Sequence, residues 1–300
     1  MIYGENMQIG EKIKRLRVAK LMTQSELVGG EITRNMLSRI ENGAAQPSMA
    51  TIKYIAERLN VSPGFLLADE DDEVLYFKSA EIGNIKKAYS NKDYALCREM
   101  CRNSEWSDDE LTLILAESTA YVAIDEFCHG NLRSAAEIFD EAIEYCSQTV
   151  YDTSVIEARI KCYFDYMSFI SPTLDSNDSA VDNDRLPLIK DGFCIYSYIF
   201  LRGEARGYDS IPLLDGALAL LEGTSYEGHI QAKLLIEHQG YKQGYEMLHS
   251  LLLDDDCELP EPMLYFVLGD IELCCREIGD FKGAYDFSRN KIELMQKLLS

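Results

Sequence analysis

The sequence predicts an all-α protein with a small N-terminal domain of five short helices, followed by a larger array of helical hairpins. Three observations favour this class. Residues that cap helices precede the first apolar runs of the chain. From about Val74 onward apolar residues recur at three and four positions, the spacing of an amphipathic helix. Strand-like alternation is not sustained there, and the chain includes few prolines.

The first predicted helix is amphipathic. Four apolar residues recur on one face, namely Ile9, Ile13, Leu16 and Leu21. Four basic residues are expected to point outward, namely Lys12, Lys14, Arg15 and Lys20. The pattern predicts a helix that is apolar towards a core and basic towards solvent.

A second, short helix follows directly. Thr23 offers an N-cap hydroxyl, and Glu26 three residues later completes the pattern of a capping box. The pair Gly29-Gly30 is a helix-breaking signal. The residues therefore predict a tight turn after the second helix.

The third predicted helix begins after Thr33, a candidate N-cap, and stops at Gly43. Met36, Leu37 and Ile40 are expected to turn towards the core or a groove, which leaves Arg34, Asn35 and Arg39 facing out. Arg and Asn are the side chains that reach guanine and adenine edges in the DNA major groove.

A fourth helix is predicted from Ser48, its N-cap, and buries Ile52, Ile55, Ala56 and Leu59. The run Phe65-Leu66-Leu67 is expected to close this small core. With the short segment around that run, five helices fit into the range 1–68.

These residues resemble the Cro/C1-type (XRE) helix-turn-helix family of repressors. The resemblance covers about residues 9–68 and is carried by Leu16-Arg17, Thr23-Gln24-Ser25-Glu26-Leu27, the run 38–43 and Pro47-Ser48. It implies that Gln24 holds a DNA phosphate, that Thr33, Arg34, Asn35 and Arg39 face the groove, and that Asn42 touches the DNA backbone. It also implies an internal ion pair between Arg17 and Glu41.

Charge is distributed unevenly along the chain. Residues 1–68 contain nine Lys and Arg against six Asp and Glu, a net +3. Because the whole chain carries −22, the remainder carries −25. Affinity for a polyanion is therefore expected in the N-terminal domain alone.

The acidic run 69–73 is interpreted as a solvated linker or as the acid-rich start of a helix. The predicted domains are 1–68 and 74–300, with the linker at 69–73.

The C-terminal part contains recurring turn signals at Gly130-Asn131-Leu132, Gly240-Tyr241 and Gly279-Asp280-Phe281. Two copies carry a buried stripe of small and large apolar residues, Ala135, Phe139 and Ala142 in one, and Tyr241, Gly244, Leu248 and Leu251 in the other. Weaker copies begin at Tyr94, Tyr208 and Phe281. Most of the Tyr and Phe side chains are assigned to packing between repeats.

This part resembles a degenerate tetratricopeptide array, a helical-hairpin solenoid with a repeat of about 34 residues. The resemblance implies a concave surface that holds an extended peptide, on which the alignment places Lys86, Glu117, Lys233 and Arg276 as candidate ligand-binding residues. The interval 171–190 interrupts the array with two prolines and many polar residues, and it is interpreted as a mobile loop, either a plain insertion or a lid.

The order of the two parts resembles Rgg/PlcR-type regulators, which implies a cytoplasmic, homodimeric transcription regulator that binds double-stranded DNA and senses a short signalling peptide. Either the N-terminal domains or the amphipathic C-terminal helix is expected to make the dimer. The alternative is a DNA-tethered scaffold whose repeat domain binds a partner protein. A third possibility is a body that serves dimerisation alone.

Enzymatic and membrane functions find little support in the sequence. The four His residues, at positions 129, 229, 238 and 249, lack the spacing of zinc ligands, and no phosphate-binding glycine loop or nucleophile motif is found. The nine Cys include no Cys-x-x-Cys pair, so reduced core thiols are expected. No cofactor and no metal are predicted. No membrane segment is predicted either, since a run of about 18 apolar residues is missing.

Overall fold

The computed structural model describes residues 9–68, 70–171, 191–211, 214–253 and 259–299. Its contacts divide the chain into two compact units, Met1–Ile85 and Lys86–Ser300. All regular elements within the described ranges are helical, which confirms the predicted class. The two units are described separately below.

The first unit begins with the five predicted helices. They are α1 (Ile9–Ala19), α2 (Gln24–Val28), α3 (Arg34–Glu41), α4 (Met49–Arg58) and α5 (Pro63–Leu67). Side-chain oxygens of Thr23, Thr33, Ser48 and Ser62 cap α2 to α5. The buried core consists of Ile13, Leu27, Val28, Leu37, Ile40, Ile52, Ile55, Ala56, Leu59, Phe65 and Leu66.

Helices α1 and α3 approach each other closely at Gly10. A Cβ atom at this position would lie 1.8 Å from the carbonyl oxygen of Ile40, a backbone atom that a side-chain rotation cannot move. The contact therefore requires glycine and places α1 against the C-terminal half of α3.

Lys12 departs from its predicted outward position. It is 1% exposed, and its Nζ donates to the carbonyl oxygens of Phe65, at 3.0 Å, and Ala68, at 2.6 Å. The prediction was wrong because a lysine stem can follow an apolar surface and deliver the ammonium to the carbonyls at a helix C-terminus. The same ammonium lies 5.2 Å from the centre of the Phe65 ring.

Two leucines predicted in the core are exposed instead. Leu21 lies beyond the end of α1, has φ +56° and is 92% exposed, because the chain leaves the helix after Ala19 and turns towards α2. Leu67 is half exposed at the end of α5, while Phe65 and Leu66 fill the core.

Helix α6 (Glu70–Ser90) contains the acidic residues 70–73, so these residues begin a helix, which is the second of the two interpretations. Asp69 lies outside the described residues. The contact division falls inside α6, between Ile85 and Lys86, and the domain boundary near residue 68 stays a prediction.

The second unit continues as a series of helices. They are α7 (Tyr94–Asn103), α8 (Asp109–Cys128), α9 (Leu132–Cys146), α10 (Ser154–Ile170), α11 (Gly192–Arg206), α12 (Leu214–Ala219), α13 (Ser225–Glu237), α14 (Tyr241–Leu253), α15 (Glu261–Ile278) and α16 (Phe281–Leu298). Of the interval 171–190, residues 172–190 lie outside the described part of the chain, so the loop interpretation concerns residues that are not described.

The predicted turns separate the helices of three hairpins, α8/α9, α13/α14 and α15/α16. Gly130 and Gly279 adopt φ values of +82° and +85°, which favour glycine. The stripes predicted on α9 and α14 point into the core, where Ala135, Phe139, Ala142, Gly244 and Leu248 are buried. The predicted turns and these five buried positions are confirmed, whereas Tyr241 and Leu251 of the α14 stripe are partly buried and pack against the core.

Two of the weaker repeat positions behave differently. Tyr208 begins a single 3-10 turn, Tyr208–Ser210, and not the helix of a hairpin. Phe281 begins α16 but is 72% exposed. Tyr208 is therefore buried, at 4% exposure, but does not begin a repeat helix, whereas Phe281 begins the second helix of the α15/α16 hairpin without being buried.

Helices that are distant in sequence also meet within the second unit. Helix α15 contacts α8 and α13 in addition to its neighbours α14 and α16. The ring of Phe266 on α15 lies 5.4 Å from Tyr166 on α10 and 4.8 Å from Phe200 on α11. Aromatic side chains thus fill the space between the hairpins, as expected for repeat packing.

Candidate functional site

The short helix α2 that precedes the turn is fixed at both ends. The Thr23 hydroxyl accepts from the backbone N–H of Glu26 at 3.2 Å, and the Glu26 carboxylate accepts from the Thr23 N–H at 2.6 Å, which confirms the capping box. Tyr54 of α4 donates its hydroxyl to the carbonyl oxygen of Val28 at 2.9 Å. Gly29 then adopts φ +52°, and the chain leaves the helix there.

Helix α3 presents a polar face to solvent. Thr33 caps the helix by accepting from the Met36 N–H at 3.2 Å, and Leu37 and Ile40 are buried. The exposed side chains on and next to α3 are those of Thr33, Arg34, Asn35, Met36, Arg39 and Asn42. This face therefore combines the residue types that read base edges with a rigid, capped helix.

An ion pair behind this face joins α1 to α3. Arg17 donates from Nε to Glu41 Oε1 at 2.7 Å and from Nη2 to Oε2 at 3.1 Å, which confirms the predicted pair. Burial favours the protonated form of Glu41, but the hydrogen bonds from Arg17 and Gln24 outweigh burial and lower the pKa of this carboxyl. Glu41 is therefore charged at neutral pH and holds the end of α3.

Gln24 links the ion pair to the exposed face. Its Nε2 donates to Glu41 Oε2 at 2.8 Å, and its Oε1 accepts from Arg34 Nε at 3.4 Å. Arg39 Nη2 makes a long contact of 3.5 Å with the carbonyl oxygen of Ala44. The structure thus brings Gln24, Arg34 and Glu41 together, and the DNA roles assigned to the six residues stay predictions.

The comparison with protein families gives one match in this unit. The family model described as Helix-turn-helix matches residues 13–66. Residues 13–66 form a helix-turn-helix domain. The matched range contains α2, α3 and the turn between them, together with most of α1, α4 and α5. In the helix-turn-helix domain, α3 is the second helix of the motif, the element that such domains place in the major groove.

Solved structures give similarities that extend along the chain. The crystal structure of Bacillus thuringiensis PlcR in complex with the peptide PapR7 and DNA shares 15% identity, covers 97% of this chain and 96% of PlcR, and has a TM-score of 0.26. ComR from S. thermophilus, in complex with DNA and its signalling peptide ComS, shares 17% identity over 97% of this chain and 94% of ComR, with a TM-score of 0.33. No curated protein matches the sequence.

The four predicted ligand-binding residues of the second unit fall into separate places. Lys86 on α6 pairs with Glu110 at 2.7 Å near the surface. Arg276 on α15 is exposed and lies 3.7 Å from Glu277 of its own helix. Glu117 on α8 and Lys233 on α13 each belong to a cluster of charged and aromatic residues, and none of the ion pairs among the described residues joins these two clusters.

Lys233 lies in a buried hydrogen-bond network that sequence reasoning missed. Its Nζ donates to Glu204 Oε1 at 2.7 Å and to Asp270 Oδ1 at 2.8 Å. Asp270 Oδ2 lies 2.9 Å from His229 Nε2, and His229 Nδ1 lies 2.8 Å from the Tyr196 hydroxyl. The network therefore connects α11, α13 and α15 through their interior faces. Its members are far apart in sequence, and no local motif marks them.

The charged groups in this network stabilise one another's ionised forms. Burial lowers the pKa of Lys233, but Asp270 and Glu204 outweigh burial, and the pKa of Lys233 is raised. Burial raises the pKa of Asp270, but the hydrogen bond from His229 and the charge of Lys233 outweigh it, and the pKa is lowered. Lys233 and Asp270 are therefore both ionised at neutral pH.

The described residues form no group of three His, Cys, Asp or Glu side chains that could hold a metal ion. Eight cysteines in this part carry free thiols, and all except Cys128 are buried. Burial raises the pKa of the Cys146 thiol to about 11 and that of Cys274 to about 12, so both are protonated at neutral pH. None of the helices formed by the described residues has the length and apolar character needed to cross a membrane.

Proposed function

We propose that this protein is a transcription regulator whose helix-turn-helix domain binds a specific DNA sequence and whose helical second unit senses a short peptide. The observation that carries the DNA-binding part is the exposed face of α3, where Arg34, Asn35 and Arg39 project from a capped helix. A rigid helix with Arg and Asn on its outer face suits direct reading of purine edges in the major groove.

The distribution of charge also supports DNA binding by the N-terminal domain and not by the rest of the chain. The range 1–68 carries +3 and attracts the DNA backbone, whereas the rest of the chain carries −25 and repels it. Binding that depends on the small basic domain is expected to be weak on unrelated DNA and sensitive to salt. The affinity needed for regulation then comes from base contacts and from pairing of two domains.

The peptide-sensing part is supported by charged side chains on two helices that are in contact, α8 and α10. Glu117 Oε1 on α8 lies 3.8 Å from Arg159 Nη1 on α10. In a hairpin array these two groups offer an acceptor and a donor to an extended main chain. Regulation requires that the peptide bind one conformation of the protein more tightly than another.

We also propose that the protein is a homodimer that uses α16. Four apolar side chains on this helix are exposed at helical spacing, namely Phe281, Tyr285, Ile292 and Met295. Phe281 and Tyr285 are 72% and 69% exposed, which is unusual for adjacent turns of one helix face. The double variant Phe281→Glu/Tyr285→Glu is expected to be monomeric in light-scattering measurements, whereas Lys282→Glu, on another face, remains dimeric.

The DNA-binding part is tested with the upstream DNA of the protein's own gene across a series of salt concentrations. The Arg34→Ala/Asn35→Ala variant is expected to lose at least about tenfold in affinity for the specific site, because each good base contact contributes about 1–3 kcal/mol. The control Lys53→Ala removes an exposed basic residue of α4 and is expected to keep the preference for that site.

A variant that binds the specific site as tightly as wild type would contradict the role of α3. If wild type shows no sequence preference at any salt concentration, the proposed reading function is wrong. A second unit that captures a structured partner protein and no short peptide would instead support the scaffold.

A further inference from the structure

A second cluster of the helical unit surrounds Arg159 on α10. The guanidinium Cζ lies 4.9 Å from the centre of the Tyr121 ring of α8. Two carboxylates flank it: Glu117 Oε1 lies 3.8 Å from Nη1, and Asp191 Oδ2 lies 3.6 Å from Nε. The residue as a whole is 9% exposed.

Two donors of this buried guanidinium make no hydrogen bond. Nε and Nη1 of Arg159 are both inaccessible to solvent and have no acceptor within the described part of the chain. The two carboxylate oxygens lie just beyond hydrogen-bonding distance. Leaving charged donors unsatisfied in a buried position costs free energy, so such a position is suited to an acceptor that arrives with a ligand.

The neighbouring residues keep the carboxylates from closing this gap. Asp191 caps α11, where its Oδ1 accepts from the N–H groups of Phe193, at 2.9 Å, and Cys194, at 3.3 Å. Glu117 accepts a hydrogen bond from the Tyr89 hydroxyl. Each carboxylate is therefore held in place by another partner.

The guanidinium is restrained as well. The ring of Tyr121 lies between Arg159 and the ring of Tyr94, which is stacked at 4.1 Å with an interplanar angle of 11°. A guanidinium held on the face of a stacked ring loses freedom to rotate towards either carboxylate. The side chains of Glu117 and Asp191 are 27% and 23% exposed, so the cluster is reached from solvent through its carboxylates.

The charge of the cluster indicates the kind of acceptor. One guanidinium and two carboxylates sum to −1, and residues 69–300 carry −25. A further carboxylate would be repelled by Glu117 and Asp191, whereas an amide carbonyl would not. The same two carboxylates can accept amide N–H groups, so the cluster complements a peptide main chain in both donors and acceptors.

We infer that Arg159, with Glu117 and Asp191, forms a subsite for the uncharged main chain of a short peptide, in which the guanidinium donates to a peptide carbonyl oxygen. The inference rests on the proposed peptide-sensing function and specifies the group that is recognised. Arg159 was absent from the residues selected by sequence, because its role depends on residues of three different helices and the segment before α11.

The experiment uses the full-length protein and a synthetic library of short random peptides in two forms, one ending in a carboxylate and one in a carboxamide. Peptides that co-elute with the protein in gel filtration are quantified by mass spectrometry. Wild type is expected to retain both forms in similar yield. Arg159→Met is expected to retain at least about tenfold less of both, because it removes charged donors.

Arg159→Gln is expected to retain more peptide than Arg159→Met, since its amide still donates an N–H group. Arg133→Gln, which changes an exposed arginine of α9, is expected to bind as wild type does. Circular dichroism and thermal unfolding establish that each variant is folded, and Arg159→Gln keeps the test valid if Arg159→Met does not fold.

Three results would overturn the inference. If folded Arg159→Gln and Arg159→Met retain as much peptide as wild type, Arg159 has a structural role alone. If only peptides that end in a carboxylate are retained, the subsite binds an anion. If wild type retains neither form, the peptide-sensing part of the proposed function fails, a result distinguishable from the first two.

Discussion

The two units bury charge in different ways. In the helix-turn-helix domain, the ion pair between Arg17 and Glu41 lies directly behind the exposed face of α3 and is connected to it by Gln24. In the helical unit, Lys233, Asp270 and His229 join α13 to α15 deep inside the fold. The first arrangement positions a surface, and the second holds interior helices together. The difference shows that buried charge can support an exposed helix face in one unit and the assembly of interior helices in the other.

The largest expected effect comes from breaking the interior network with Asp270→Asn. This change removes the negative charge shared by Lys233 and His229, replaces one of the two acceptor oxygens with an N–H donor, and leaves a buried ammonium with one carboxylate, which is expected to cost about 3–5 kcal/mol. Amide hydrogen exchange should become faster in α11, α13 and α15 and remain unchanged in α1 to α5. The control Asp215→Asn alters an exposed residue of α12 and should leave exchange as it is in wild type.

A smaller loss of stability is expected in the N-terminal unit from Glu41→Gln. Losing a carboxylate that accepts from Arg17 and Gln24 is expected to cost about 1.5–3 kcal/mol. Because Gln24 and Arg34 are then released, affinity for the specific DNA should also fall, as measured by fluorescence anisotropy. Glu57→Gln on α4 is the matched control, because Glu57 is exposed. Equal DNA affinity of Glu41→Gln and wild type would show that the ion pair supports the core and not the reading surface.

Acid should weaken both units for the same reason. The pKa values of Glu41 and Asp270 are lowered in the folded protein, so their contribution to stability is present above the unfolded value of about 4 and is lost as the pH falls through the folded values. Urea unfolding at successive pH values should show a decline below about pH 4 that is shallower in Glu41→Gln and in Asp270→Asn. If stability declines as steeply in both variants as in wild type, the acid sensitivity arises from other carboxyl groups.

The smallest expected effect is a gain in stability. Leu21 has φ +56° and is 92% exposed, so Leu21→Asn should relieve backbone strain at little loss of burial and stabilise the N-terminal unit by about 1 kcal/mol. Calorimetry should show a higher melting temperature for this variant. Val18→Asn, an exposed position inside α1, should show no such gain. An unchanged or lower melting temperature for Leu21→Asn would indicate that the leucine side chain makes a stabilising contact.

The same contrast explains what could be predicted from sequence. Helix caps and stops are encoded within a few residues, so Thr23, Thr33, Ser48 and Gly43 were sufficient to place the helices of the first unit. The Arg17–Glu41 pair was predicted because it belongs to a family motif. Lys12 was missed because its partners are carbonyl oxygens at the far end of the domain's sequence, to which no residue type gives a signal.

In the second unit the turns were predicted, but the partners of the buried charged side chains were not. Glycine at Gly130 and Gly279 marks helix ends locally, whereas the partners of Asp270 and Arg159 are set by how hairpins stack. The repeat alignment selected Glu117 and Lys233, which lie in two charged clusters, together with Lys86 and Arg276, which lie in neither, and the ligand-binding role of all four stays a prediction. Periodicity identifies the face of a helix, and it does not identify the helix that lies opposite.

The buried ammonium of Lys12 has a consequence for dissecting the protein. It joins the first helix to the carbonyl oxygens of Phe65 and Ala68 at the opposite end of the domain's chain. A fragment that stops before Ala68 would lose one of the two acceptors while the ammonium stayed buried. A fragment that keeps both acceptors of this ammonium therefore extends from α1 through Ala68, just beyond the last core leucine.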